Sequence, residues 1–125
     1  MSPGIVLAVA GGGFVGAPAR YLTDRAISTR VASDRPWGTV AINVSGSFIL
    51  GLLAGLAGGP GLTPTVQALF GTGFCGAFTT FSAFSFESIT LAEDGRLVEA
   101  AGNVALSVVM GLSAAALGIW LGLTA

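Results

Sequence analysis

The residues best able to do chemistry lie between Gly71 and Glu87, in the run GTGFCGAFTTFSAFSFE. Four phenylalanines, Phe78, Phe81, Phe84 and Phe86, are interleaved there with the hydroxyls of Thr79, Thr80, Ser82 and Ser85. Hydroxyls donate and accept hydrogen bonds without carrying charge, and an aromatic ring presents a positive edge and a negative face. Such a set can replace part of the water around a small solute. Gly71, Gly73 and Gly76 loosen the helix that precedes it, and the hydroxyls compete for backbone hydrogen bonds. The segment is apolar enough to cross a bilayer from about Val66 to about Leu91, yet its middle is a poor uninterrupted helix. Irregular backbone at membrane depth survives only where protein or a polar cavity surrounds it. The run therefore predicts a permeation or binding site.

The elements that must position this run follow from composition. Of 125 residues 53% are hydrophobic and only 9% charged, with a mean hydropathy of +0.85. A soluble domain carries roughly a quarter charged residues. Here the few charges are segregated, leaving spans of about 4–22, 37–56, 66–91 and 97–123, each near the ~20 residues that a membrane helix needs. The expectation is a single all-α integral membrane domain of four helices, over residues 1–125, with no room for a soluble one.

The first span holds Gly11, Gly12, Gly13 and Gly16, which allow another helix to approach closely, and closes with Arg20 and Tyr21 at the interface. A polar connector with Asp24, Arg25, Arg30, Asp34 and Arg35 follows, a solvated or headgroup-level segment part of which could be helical. Pro36 and Trp37 open the second span, where Thr39, Asn43 and Ser47 recur every four residues and share one face. Asn43 reads either as glue between helices or as a donor lining a pore. The short uncharged loop after this span predicts that the second and third spans are antiparallel neighbours. In the fourth span Asn103, Ser107 and Gly111 repeat the polar stripe, and Gly118 and Gly122 offer a further small face.

Several chemistries are excluded. There is no histidine and no lysine, and Cys75 is the single cysteine. Clustered Cys/His metal sites, a Ser-His-Asp triad and a disulfide within the chain cannot be built. No nucleophile–base pair can be assembled, so an enzyme is not expected, and no basic tract argues for nucleic acid.

GGGFVGAPARY, PWGTVAINVSGSFILGLLAG and GTGFCGAFTTFSAFSFE resemble the three signature blocks of the CrcB/Fluc fluoride channels, in that family's order and spacing. The resemblance covers essentially the whole chain, and the TTFSxFSxE run is its most specific part. It implies a multi-pass protein of the inner (plasma) membrane that exports fluoride passively. It also implies a dimer of four-helix subunits in opposite orientations, each with a broken third helix. A structural sodium ion would sit at the dimer centre on backbone carbonyls that map to Gly76 and Thr79 of each subunit. The family's pore phenylalanines fall on Phe81 and Phe84, its pore asparagine on Asn43, and its fourth-helix polar track on Asn103 and Ser107.

Fluoride is small and strongly hydrated, so ring edges of Phe81 and Phe84 could replace its water together with donors from Asn43, Ser107 and Thr80. With no fixed cation in the narrow part, the ion is not held too tightly to leave. Arg20 could draw anions into a vestibule, with Thr39 as a further vestibule candidate. Glu87 either caps the pore end and pairs with Arg20, or hands on the ion; the structural role is favoured. The chain departs from the family pattern at Asn103, where many relatives have tyrosine, and at Ala83, where a hydroxyl is usual.

All five arginines (Arg20, Arg25, Arg30, Arg35, Arg96) lie in or beside two connectors on one side of the membrane. The positive-inside rule then favours one orientation with both termini outside. This leaves two assemblies: an inverted homodimer, or a heterodimer with an oppositely oriented paralogue. Two other classes compete. A small multidrug-type transporter needs a carboxylate within the first span, and residues 4–22 have none. A non-transporting membrane assembly protein would use the small-residue faces and leave the polar stripes unexplained.

Overall fold

The computed structural model describes residues 2–31, 36–57, 59 and 62–125. Asp34 and Arg35 of the first connector, with Gly58, Pro60 and Gly61 of the second, lie outside the described residues. Four helical segments, Pro3–Arg30, Trp37–Leu56, Pro64–Glu93 and Leu97–Thr124, are long and apolar enough to cross a membrane. Their mean hydropathies are 1.4, 1.8, 1.2 and 2.1, lowest in the third, which carries the hydroxyl run.

Helix α1 (Pro3–Arg30) starts where Ser2 Oγ accepts from the Ile5 amide at 3.2 Å, with Pro3 at a position whose N–H would have no helical partner. The sequence places the end of the first span near Leu22 and leaves part of the following connector open to being helical; the helix continues to Arg30. Arg20 and Tyr21 mark where lipid ends, not where a helix must end, and no glycine or proline follows before Arg30. At 1.5 Å per residue α1 is about 42 Å long against a ~30 Å hydrocarbon core, so its polar end reaches past the lipid tails.

Helix α2 covers Trp37–Leu56. Helix α3, over residues 64–78, is irregular: an α turn at Pro64–Gln67, a wider π-helical stretch at Ala68–Cys75, and a last turn at Gly76–Phe78. Thr79 and Thr80 are then extended, with ψ of 157° and 117°, before helix α4 (Phe81–Glu93) begins. The third span is therefore broken at its centre. Helix α4 ends in a turn at Gly95 (φ +79°), where the Arg96 amide donates to Leu91 O at 2.9 Å and the Gly95 amide to Ala92 O at 3.1 Å. Helix α5 is Leu97–Thr124.

Two seams hold these helices together. α2 packs mainly on α5, and α1 mainly on α3. The short 57–63 connection predicts that α2 and α3 are close neighbours. They touch, but each has a larger partner, because the glycine faces match elsewhere. Gly51 and Gly55 of α2 meet the backbone of Ala115 and Ile119, while Gly118 and Gly122 of α5 meet that of Phe48 and Leu52. Likewise Gly12 and Gly16 of α1 lie on the backbone of Leu69 and Phe74. A β-carbon at Gly73 would come within 2.6 Å of Val9 O, and one at Gly122 within 2.6 Å of Leu52 O. In lipid, packing of this kind drives association, since apolar burial gains little against acyl chains. Large apolar side chains such as Phe14 and Val98 consequently lie on the outside.

Candidate functional site

The break at Thr79–Thr80 is where most of the singled-out residues meet. In a continuous helix the Thr80 amide would bond to Gly76 O. Instead it donates to Asn43 Oδ1 at 2.8 Å, and Asn43 Nδ2 returns a bond to Thr80 O at 2.9 Å. One side chain from α2 thus satisfies both polar groups of a peptide unit that the break would otherwise orphan. A second exchange follows. The Ala83 amide, which would bond to Thr79 O in a continuous helix, donates to Thr80 Oγ1 at 3.2 Å and makes Thr80 the N-cap of α4. Before the break, the Thr79 amide and Oγ1 both donate to Cys75 O, at 2.9 and 2.8 Å.

Consequently Gly76 O and Thr79 O lose their usual helical donors to Asn43 and to the Thr80 hydroxyl. Gly76 is exposed, and a β-carbon there would meet nothing within 4 Å. Among the described residues no group of three or more His, Cys, Asp or Glu could hold a metal ion, so a cation here would need neutral oxygens. Released carbonyls are such oxygens, and the residues present fit a hard monovalent cation.

Phe81 and Phe84 open α4 just after the break. Their ring centroids are 5.8 Å apart and the planes are tilted by 50°. Phe81 is 78% exposed in the single chain, at mid-span, whereas Phe84 is half-buried. The preceding pair, Phe74 and Phe78, stacks nearly flat instead, at 5.3 Å and 15°.

Thr39 and Glu87, grouped at the vestibule from the sequence, are joined: Thr39 Oγ1 donates to Glu87 Oε1 at 2.6 Å. Arg20 and Glu87 line one groove of about 510 Å³ with Asp24, Thr39, Thr80 and Ser82, but no ion pair links Arg20 to Glu87 among the described residues. Across on α5, Asn103 Nδ2 donates to Ser88 Oγ at 2.8 Å, and Ser88 Oγ donates to Phe84 O at 2.8 Å. Asn103 therefore steadies the first turns of α4. Ser107 stands apart from both groups: its Oγ is buried with no hydrogen-bond partner among the described residues.

The sequence reading leaves out Ser88 and gives Asp24 no role beyond the polar connector. Ser88 sits four residues after Phe84 and next to Glu87, so its helical spacing could have flagged it. Asp24 lies past the expected end of the first span at Leu22.

The chain matches the family model described as CrcB-like protein, Camphor Resistance (CrcB), over residues 7–119. It is 49% identical over 114 residues to Fluoride-specific ion channel FluC 1 of Streptomyces avermitilis, covering 91% of this chain and 92% of the relative. To Fluoride-specific ion channel FluC 1 of Frankia casuarinae it is 52% identical over 118 residues, covering 90% and 91%. To Fluoride-specific ion channel FluC of Rhodospirillum rubrum it is 42% identical over 119 residues, covering 93% and 89%. With four membrane-crossing helices and a match along nearly its whole length, this multi-pass membrane protein belongs to the CrcB family.

Proposed function

We propose that the protein is a fluoride-selective channel subunit that lets fluoride leave the cell passively across the inner (plasma) membrane. The observation that carries the reading is the clasped break. Asn43 fixes an interrupted mid-membrane backbone, and Phe81 projects from it largely uncovered. Exposure alone is ordinary for a ring that faces lipid; what sets Phe81 apart is its place at the break, between the neutral hydroxyls of Thr80 and Ser82. The printed names of the relatives supply the ion.

The subunit works as half of an antiparallel dimer, either with its own copy or with an oppositely inserted paralogue. The exposed Gly76 leaves room for a second chain at the break. The carbonyls of Gly76 and Thr79 would hold a structural sodium ion there, which supplies positive charge that ties the two breaks together. Within each pathway, Phe81 and Phe84 offer ring edges and Ser107 Oγ a hydroxyl. Asn43 keeps one amide proton beyond the one given to Thr80 O, so it can clasp the break and still donate. Asn103 acts through Ser88 on the Phe84 turn. At the mouth, Arg20 attracts anions, while the Thr39–Glu87 bond fixes the end of the path.

The test is fluoride efflux from liposomes carrying the purified protein, read with a fluoride electrode beside a chloride electrode. The expected result is fluoride flux without matching chloride flux, cut at least tenfold by Phe81→Ala, about the loss of one well-placed transition-state contact. Flux only after adding an oppositely oriented paralogue would select the heterodimer. Equal chloride flux, or an unchanged rate in the variant, would contradict the pore assignment.

A further inference from the structure

Asp24 has no part in the reading above, yet it occupies the same groove as Arg20, Thr39 and Glu87. The continuation of α1 beyond Leu22 puts it one turn past Arg20 on the same face. Its Cα and Oδ1 press on Gly38, where any β-carbon would overlap the carboxylate. Gly38 lies in the first turn of α2, whose cap residue Pro36 makes no side-chain bond and which has no acidic residue in that turn. A carboxylate at this amide end is favoured electrostatically, so its position is held from two sides.

The charges lining the groove are one guanidinium, Arg20, and two carboxylates, Asp24 and Glu87. No ion pair joins any two of them among the described residues. Arg20 therefore acts on its surroundings as an open charge, and Asp24 is the opposite charge nearest to it along α1. A focused positive field raises local anion concentration and entry rate, and a fixed carboxylate one turn away subtracts from it.

We propose that Asp24 sets the rate of anion entry: its carboxylate, lodged against Gly38, offsets Arg20 and holds the anion concentration at the groove mouth below what Arg20 alone would draw. The inference rests on the channel reading and concerns entry, not selection in the narrow part.

The experiment compares initial fluoride efflux for wild type, Asp24→Asn and Asp24→Glu, in the assembly in which the wild type conducts. Each is measured at about 10 mM and about 300 mM ionic strength, between which the screening length falls from ~30 Å to well under 10 Å. Asp24→Asn keeps the shape and removes the charge; it should raise the rate about two- to fivefold at low ionic strength and converge on wild type at high. Asp24→Glu should follow the wild type at both. An Asp24→Asn rate equal to wild type at low ionic strength, a lower rate at both, or failure of that variant to assemble would overturn the inference and leave Asp24 a structural contact of Gly38. A wild type that passes no fluoride would remove the channel reading itself; one that conducts with indifference to Asp24 removes only this proposal.

Discussion

The glycine seams and the broken third span solve the same problem in opposite ways. Along α2/α5 and α1/α3 the backbone polar groups are satisfied within each helix, and side chains have been removed so that two backbones can touch. At Thr79–Thr80 the backbone is left unsatisfied within its own helix, and side chains from α2 and from the break itself supply the missing partners. The seams tolerate almost no added atom and use no polar chemistry. The break depends on polar atoms and leaves space beside Gly76. A rigid frame of the first kind is what allows the second to persist in lipid, where an orphaned amide has no water to turn to.

The comparison can be broken hardest at a seam. Gly118→Leu would drive a side chain into the Phe48 carbonyl and the Leu52 amide, backbone that cannot move aside. The expected cost is about 3 kcal/mol or more, seen as loss of a monodisperse species in detergent. Gly102→Ala, in the same helix but facing open space, should leave that species intact. At the polar region the effects are smaller and fall on flux more than on assembly. Thr39→Val removes the 2.6 Å bond to Glu87 and should cost about 1 kcal/mol of unfolding free energy, read as a lowered unfolding midpoint, while slowing fluoride efflux several-fold. Smallest of all, Ser88→Ala deprives Asn103 of its acceptor; about 0.5–1 kcal/mol and roughly a twofold change in efflux are expected. If Ser88→Ala proved as damaging as Gly118→Leu, the division between frame and site would be wrong.

Much of this architecture could be read from the residues. Hydropathy marked four spans because lipid admits little else, and the small residues at Gly12, Gly16, Gly118 and Gly122 announced close helix contacts. What they did not announce was which face meets which. A short loop made α2 and α3 neighbours, and they do touch, but matching of glycine faces gives each its larger partner, α5 and α1. The hydroxyl and glycine run pointed to an interrupted third span, and Asn43 was open to either a structural or a conducting role. Its bonds to Thr80 show a clasp, something no one-dimensional spacing between residues 43 and 80 could reveal. The π-helical stretch at Ala68–Cys75 also left no mark beyond its glycines. How far α1 runs past its span was left open, because membrane-boundary residues and helix terminators obey different physics.

In the proposed channel Asn43 holds open the break from which the fluoride path is built, and Asn43→Ala removes that clasp. Removing the amide leaves the Thr80 N–H and C=O without partners, a loss of about 2 kcal/mol that the glycine seams should survive. Fluoride efflux from liposomes should fall at least tenfold while the protein still elutes as the assembled species. Wild-type efflux from a fully assembled Asn43→Ala protein would contradict the account.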